Sequence, residues 1–281
     1  MLRIHFTGED LARVRLASQP DPLWETVLTL FRFRFHSSAT PLALHRWRRA
    51  AYGQSQGENL QLLMSLTPGG YYPDFLTPFE ASMGLEAGLD AVMSTGKERL
   101  RTEIGRLDKP NRPLPDQVRL LGEGDGPAMA NLGEALRSHH QSAVAPYWDR
   151  VLAEVEADRA VRARAWMDGG CEGLLNSYRP MMRWQYPVLE VDFPVEQDLY
   201  LDGRGLLLVP SYFCSGTPDT LFDRSLSPVL VYPIAHQLKQ PGTSDPDDAE
   251  SLAALIGSTR AWVLGAIDEA APPRSWPAGS G

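Results

Sequence analysis

Apolar positions recur at two different periods along the chain, and the period changes near residue 187. Leu2, Ile4 and Phe6 alternate with Arg3, His5 and Thr7, the two-residue repeat of a strand with one buried face. Thr7 is placed to cap a following helix, with Asp10 three residues on as an approximate capping box. Asp21 and Pro22 mark a second helix start. The Asp side chain accepts from the first turn, and Pro has no N–H to lose there. Leu23, Val27, Leu30 and Phe31 then share one face. An Arg-rich segment over 42–52 reads as at least partly helical, and a short helix over 60–66 stops before a Thr-Pro-Gly-Gly run. Residues 67–79, rich in Pro, Gly and aromatics, form a structured connection. Residues 86–107 read as helix with breaks near Gly88, Gly96 and Gly105, and 109–126 as a loop or hinge.

The clearest helical pattern carries Leu132, Leu136 and His140, then Val144, Trp148, Val151, Leu152 and Val155. Pro146 should break or kink it, because its ring clashes with the preceding turn and it lacks a donor. The helix is expected to run to about Met167 and to end at Asp168, Gly169 and Gly170. Beyond residue 187 the pattern shortens to strands over 188–193, 198–201, 205–213 and 229–235. Asp202, Gly203, Arg204 and Gly205 give a hairpin signal between two of them. The expectation is an α+β fold: a predominantly helical body with a small, mainly antiparallel sheet. The N-terminal strand is a candidate to join that sheet. Residues 1–240 form the body, 241–248 a polar linker, 249–269 an amphipathic helix and 270–281 a disordered tail.

Composition narrows the class. Of 281 residues, 43% are hydrophobic and 22% charged, a globular balance with length for one large domain or two smaller ones. No apolar run approaches the roughly 20 residues of a membrane span. Residues 1–7 lack a secretory apolar segment, so a cytoplasmic location is expected. Cys171 and Cys214 have no CxxC spacing and read as reduced, buried thiols. The net charge of −8 argues against a nonspecific nucleic-acid coat protein. Charge is uneven: residues 1–60 hold eight arginines against five acids, and residues 241–281 six acids against two arginines.

No catalytic signature is present. There is no HExxH, no G-x-S-x-G elbow and no nucleotide-binding glycine fingerprint, and the acids beside Gly122, Gly124 and Gly126 would repel phosphate. His139 and His140 point about 100° apart on a helix, so they read as helix-face residues rather than a ligand pair. No catalytic residue, metal or cofactor is expected. A ligand pocket is the better candidate. Tyr72, Phe75, Trp184, Tyr186, Tyr212 and Phe213 are placed to line it for a small apolar or aromatic ligand, with Arg183 orienting an anionic or carbonyl-bearing group by charge-assisted hydrogen bonds. Core packing is the competing reading for each of these aromatics. Arg46, Arg48 and Arg49 are candidates for phosphate contact or for a solvated helix face, with Trp47 anchoring the segment. Trp148, Val151, Leu152 and Val155 either form a homodimer seam or pack internally.

Strings spread in order along the chain resemble one family. They are the opening over 1–7 and 10–15, DPLWETVL (21–28), PYWDR (146–150), EADRAVRAR (156–164), RWQYPVLEV (183–191), GRGLLLVPSYFC (203–214) and PVLVYP (228–233). Together they resemble actinobacterial ArsR-like winged helix-turn-helix transcription regulators that carry an uncharacterised N-terminal domain. Residues 251–267 resemble the first helix of the winged domain. The family pattern would continue with a helix-turn-helix pair and a wing, whereas residues 270–281 turn to Pro and Gly. The resemblance implies the ligand-sensing or dimerisation portion of a regulator, with direct DNA binding lost or incomplete in this chain. The alternative is a non-sensing interaction protein that modulates a full-length regulator.

Overall fold

Both helix starts legible in the sequence are built as expected in the computed structural model, which describes residues 1–34, 42–54, 57–109, 111 and 113–234. Strand β1 (Leu2–His5) leads into α1 (Gly8–Ala12). Thr7 donates its backbone N–H and its hydroxyl to Asp10 Oδ2, at 2.7 and 2.6 Å. Asp10 N–H returns to Thr7 Oγ1 at 3.3 Å, which closes the capping box. After β2 (Arg15–Leu16), Asp21 caps α2 (Pro22–Arg34), its Oδ1 accepting from Leu23 and Trp24 N–H at 3.0 Å each.

Seven further helices follow among the described residues. They are α3 (Leu42–Gln54), α4 (Glu58–Leu66), α5 (Leu85–Met93), α6 (Lys97–Gly105), α7 (Asp116–Gly122), α8 (Gly126–His139) and α9 (Trp148–Asn176). The break expected near Pro146 is a π-helical turn at His140–Val144 followed by a 3-10 turn at Ala145–Tyr147. The segment expected as a loop over 109–126 contains α7 instead. Two turns of helix that bury only Val118 and Leu121 are too short for a periodic signal. Gly169 and Gly170 end the first run of α9 as expected, with non-helical backbone φ of −138° and 60°, and a second run turns back to Asn176, close enough for Arg162 to reach Ser177 Oγ at 3.2 Å.

Two four-stranded sheets stand where one was expected. The first runs β3 (Met182–Gln185), β4 (Val188–Val191), β1, β5 (Gln197–Tyr200). The second runs β2, β6 (Leu207–Ser211), β8 (Val229–Pro233), β7 (Asp219–Thr220). Pairings β3–β4, β4–β1 and β7–β8 are antiparallel, while β1–β5, β2–β6 and β6–β8 are parallel. The sheets are therefore mixed, which corrects the expectation of a mainly antiparallel one. The N-terminal strand does join, as an inner strand of the first sheet.

The reason lies at residues 202–205. Asp202 and Gly203 adopt φ of 52° and 80°, the left-handed geometry that suits a tight turn. The flanking strands β5 and β6 nevertheless do not pair. Each runs parallel to its own N-terminal strand, Leu2↔Gln197 in the first sheet and Arg15↔Leu207 in the second. Segment 1–16 thus lies beside segment 197–208. Asp10 Oδ1 accepts from Gly205 N–H at 2.9 Å, and Arg13 donates to the Gly203 carbonyl. Gly205 sits at φ 73°, and a Cβ there would collide with the Arg13 carbonyl oxygen.

Met1–Ala235 form one compact unit. The expected linker, terminal helix and tail over 241–281 lie outside the described residues. Val151 and Val155 are buried in this chain's own core, which removes them from any dimer seam. Trp148 is half-buried with its ring edge against His140, and Leu152 is exposed. Among the described residues no helix is long and apolar enough to cross a membrane.

Candidate functional site

A cavity of about 230 Å³ opens against the second sheet. Its floor is one face of that sheet: Leu207 and Val209 on β6, and Val229 on β8, registered opposite Leu207. Asp21 and Trp24, at the start of α2, form one wall. Thr77, Pro78, Phe79 and Ser82 form a second, on the 3-10 turns that precede α5. Leu221, Leu226 and Ser227 line it from the connection into β8, and Arg99 from α6. Gln19 donates to the Ser82 carbonyl at 3.0 Å and ties the first two walls together.

Close packing fixes these walls. A Cβ on Gly88 of α5 would sit 2.7 Å from Ala81 Cβ and 2.8 Å from Leu23 Cδ1, so only glycine lets α5, α2 and the 3-10 turn approach this closely. Asp74 accepts from Phe222 N–H at 2.9 Å and Asp223 N–H at 2.7 Å, holding the connection to β8 against the turn at Asp74–Leu76. Buried Glu103 of α6 accepts from Phe75 N–H at 2.8 Å and from Arg99 Nε at 2.5 Å, which sets the position of the arginine.

Helix α2 carries the unusual chemistry. Every residue from Pro22 to Leu30 is buried, including Glu25, Thr26 and Thr29. Asp21, Glu25 and Arg32 follow a stripe of four and then seven residues, hence one helix face. Glu25 accepts from Tyr212 N–H at 2.8 Å, Phe213 N–H at 2.9 Å and Ser211 Oγ at 2.9 Å. Arg32 donates to the carbonyls of Phe213 at 2.9 Å and Cys214 at 2.7 Å. The chain leaving β6 is thus clamped from both polar sides of its backbone. Burial pushes the carboxyls of Asp21 and Glu25 up to about 7, against the opposing pull of the backbone N–H groups they accept from. Burial lowers the pKa of Arg32. Asp219 accepts from Tyr72 Oη at 3.0 Å and is also pushed up by burial, to about 6.

Asp21 is 7% exposed. Its Oδ1 takes both helix amides, and among the described residues no protein donor reaches Oδ2. The cavity wall therefore carries a buried carboxyl with one free oxygen. Arg99 uses Nε on Glu103, and its side chain is 37% exposed.

The candidates picked from sequence fall elsewhere, and none of the seven proposed pocket residues lines this cavity. Trp184 packs edge-on against Phe6 and Tyr186 on the first sheet; Tyr186 is otherwise exposed. Arg183 pairs with Glu190 across β3 and β4 at the surface. Tyr72 is buried with its ring edge on Trp24 and Phe31, and Phe75 is buried in the core. Tyr212 and Phe213 are buried against each other, with Phe213 on Trp47. Packing and backbone anchoring account for these positions.

Arg48 donates to the carbonyls of Arg32 and Phe33, at 2.9 and 3.0 Å. It caps the end of α2 rather than facing phosphate. Arg49 is exposed, and the side chain of Arg46 lies outside the described residues. Trp47 is the anchor expected, buried and donating to the Ala143 carbonyl at 2.6 Å.

His139 and His140 are buried, not surface residues. The hydroxyls of Thr26 and Thr29 donate to carbonyls of their own helix. They accept in turn from His140 Nδ1 at 3.0 Å and His139 Nε2 at 2.8 Å. Burial lowers His139 to about 4, so it is neutral near pH 7. Cys171 and Cys214 are free thiols, both raised in pKa by burial. Among the described residues no group of three His, Cys, Asp or Glu side chains is placed to hold a metal ion.

Asp21 was legible in the sequence as a helix cap but not as a cavity group. Glu25 and Arg32 were detectable as a charged stripe on a helix that is apolar elsewhere. Asp74 and Arg99 carried no local signal, because their roles depend on contacts with distant segments. No family model, curated protein or solved structure matches the chain.

Proposed function

We propose that this chain is the ligand-sensing part of a transcription regulator, with the cavity beside Asp21 as its ligand site. The observation that carries the reading is a concave, apolar-floored site lined by Asp21, a largely buried side chain whose Oδ2 has no protein donor among the described residues. An acceptor left without a protein donor at the wall of a cavity is a contact point for a ligand. The regulatory part of the proposal rests on the resemblance to ArsR-like regulators. Its physical basis is that α2 links the cavity to the loop after β6, through Glu25 and Arg32. A ligand that preferred one setting of α2 would bias the clamp as well.

Thermal unfolding with a panel of small amines, alcohols and carboxylates tests the reading. Wild-type protein should be stabilised by members of the panel through linkage. A Ser227→Trp variant, altered at an exposed residue of the cavity lining, should lose that response while folding normally. Equal responses in both proteins, or none in either, would overturn the assignment of the cavity.

A second reading has its own observation. Leu152, Trp166 and Met167 of α9 are exposed, at 38%, 37% and 78%, and helical spacing places them on one side. These exposed apolar groups, with the Glu156–Arg159 ion pair between them, suit an interaction or homodimerisation role, including association with a full-length regulator. Sedimentation of wild type against Leu152→Glu/Met167→Glu separates the two. A dimer abolished by the substitutions supports the interaction role, and a monomer in both proteins removes it.

A further inference from the structure

We infer that the cavity takes a small organic cation, an amine with an apolar or aromatic body, whose ammonium group donates to Asp21 Oδ2. The inference rests on the ligand-site reading above and specifies what the site selects. Three acids and one arginine line the cavity: Asp21, Asp74, Glu80 and Arg99. Both oxygens of Asp74 are taken by backbone N–H groups, and Arg99 is committed through Nε to Glu103. Among the described residues, Asp21 is the largely buried acid of this lining whose Oδ2 has no protein donor, and no lysine or arginine there pairs with it.

A carboxyl held out of water in this way resists ionisation unless a positive charge enters beside it. Its upward shift to about 7, caused by burial, is the cost of that missing charge. Glu25, one turn further along the same helix, is a second acid raised by burial, and its own contacts are complete. An anionic ligand would face both acids.

The rest of the cavity suits the remainder of such a ligand. Leu207, Val209 and Val229 offer a hydrocarbon floor. Trp24 also lines the cavity and adds apolar surface to the wall that carries Asp21. At about 230 Å³ the space is below the usual range of drug-sized sites, so a ligand on the order of ten heavy atoms is the scale expected.

Calorimetric titration of the wild-type chain with three probes of matched size tests this: 2-phenylethylamine, 2-phenylethanol and 3-phenylpropionate. The amine should bind at least about tenfold more tightly than the alcohol, and the carboxylate should bind weakest. Asp21→Asn keeps a good N-cap, so the helix start survives. In that variant the amine's advantage over the alcohol should vanish while alcohol binding is retained. Alcohol or carboxylate binding equal to or tighter than the amine would overturn the cation inference and leave the ligand site standing. Preference for the amine undiminished in Asp21→Asn would also overturn it. Binding of none of the three at millimolar concentration would overturn both the inference and the ligand-site reading.

Discussion

The two sheets handle their acids in opposite ways. On the first, Asp198 lies at the surface within reach of Arg3 Nε at 3.0 Å and His5 Nε2 at 2.7 Å, and Glu196 pairs with Arg3 at 3.1 Å. Hydrogen bonds from Arg3 and His5 hold the Asp198 carboxyl well below the usual carboxylate range. Around the second sheet, Asp21, Glu25 and Asp74 are buried and Asp219 half-buried; they take their hydrogen bonds mainly from backbone N–H groups and are raised in pKa. Solvated pairs of the first kind contribute little to stability and are easily replaced. Buried acids without a salt-bridge partner are costly to maintain. Their concentration around one sheet, beside a cavity, is what points to function there rather than on the first sheet.

The largest effect expected from breaking this contrast is at Glu25. Glu25→Ala strands the N–H groups of Tyr212 and Phe213, at a cost of about 2–5 kcal/mol for two buried donors. Denaturant unfolding at pH 7 measures it. Asp198→Ala, by the same measurement, should move the midpoint only slightly, and less still in high salt. A comparable loss from both substitutions would erase the distinction between the sheets. Arg32→Met should follow Glu25→Ala in size, since it frees two buried carbonyls and removes the positive member of the clamp.

Proton linkage sharpens the comparison next. Native Asp21 and Glu25 hold a proton up to about pH 7, whereas an unfolded chain releases it near the ordinary carboxylate values of about 4. Their contribution is therefore full at low pH and is lost as pH rises from about 4 to 7. His139 has the opposite sign. Its native value of about 4 lies below the unfolded one, so its contribution is full above about 6.5 and is lost as pH falls toward 4. Glu25→Gln should remove part of the decline on the alkaline side of pH 4.5, by up to about 1.4 kcal/mol per pH unit. Parallel stability–pH curves for wild type and Glu25→Gln would contradict the buried placement of this acid. Among the buried positions the smallest effect is at Thr29→Val, which deprives His139 Nε2 of its acceptor and should cost about 1–2 kcal/mol.

How far the sequence reveals this arrangement follows from the range of the interactions. The capping box at Thr7 and Asp10, the start of α2 at Asp21 and the break near Pro146 are set by residues within a turn of one another, and each is legible in the chain. The turn chemistry at 202–205 is legible too, but the strands beside it pair with segment 1–16, nearly 200 residues away. Local pattern therefore suggested a hairpin where the chain passes between two sheets. The candidate site failed for the same reason. Aromatic residues are conspicuous in a sequence, yet Trp184, Tyr212 and Phe213 serve packing. The cavity is built from a cap residue, short apolar strand positions and an arginine fixed by Glu103. The charge stripe on α2 was the one available signal, because polar residues at helical spacing within an apolar helix require buried partners.

The most direct test is a crystal structure of the wild-type chain grown with 2-phenylethylamine. The ammonium nitrogen should lie within hydrogen-bond distance of Asp21 Oδ2, with the ring over Leu207, Val209 and Val229. An amine bound away from Asp21, or an empty cavity at saturating amine, would contradict the assignment of this site.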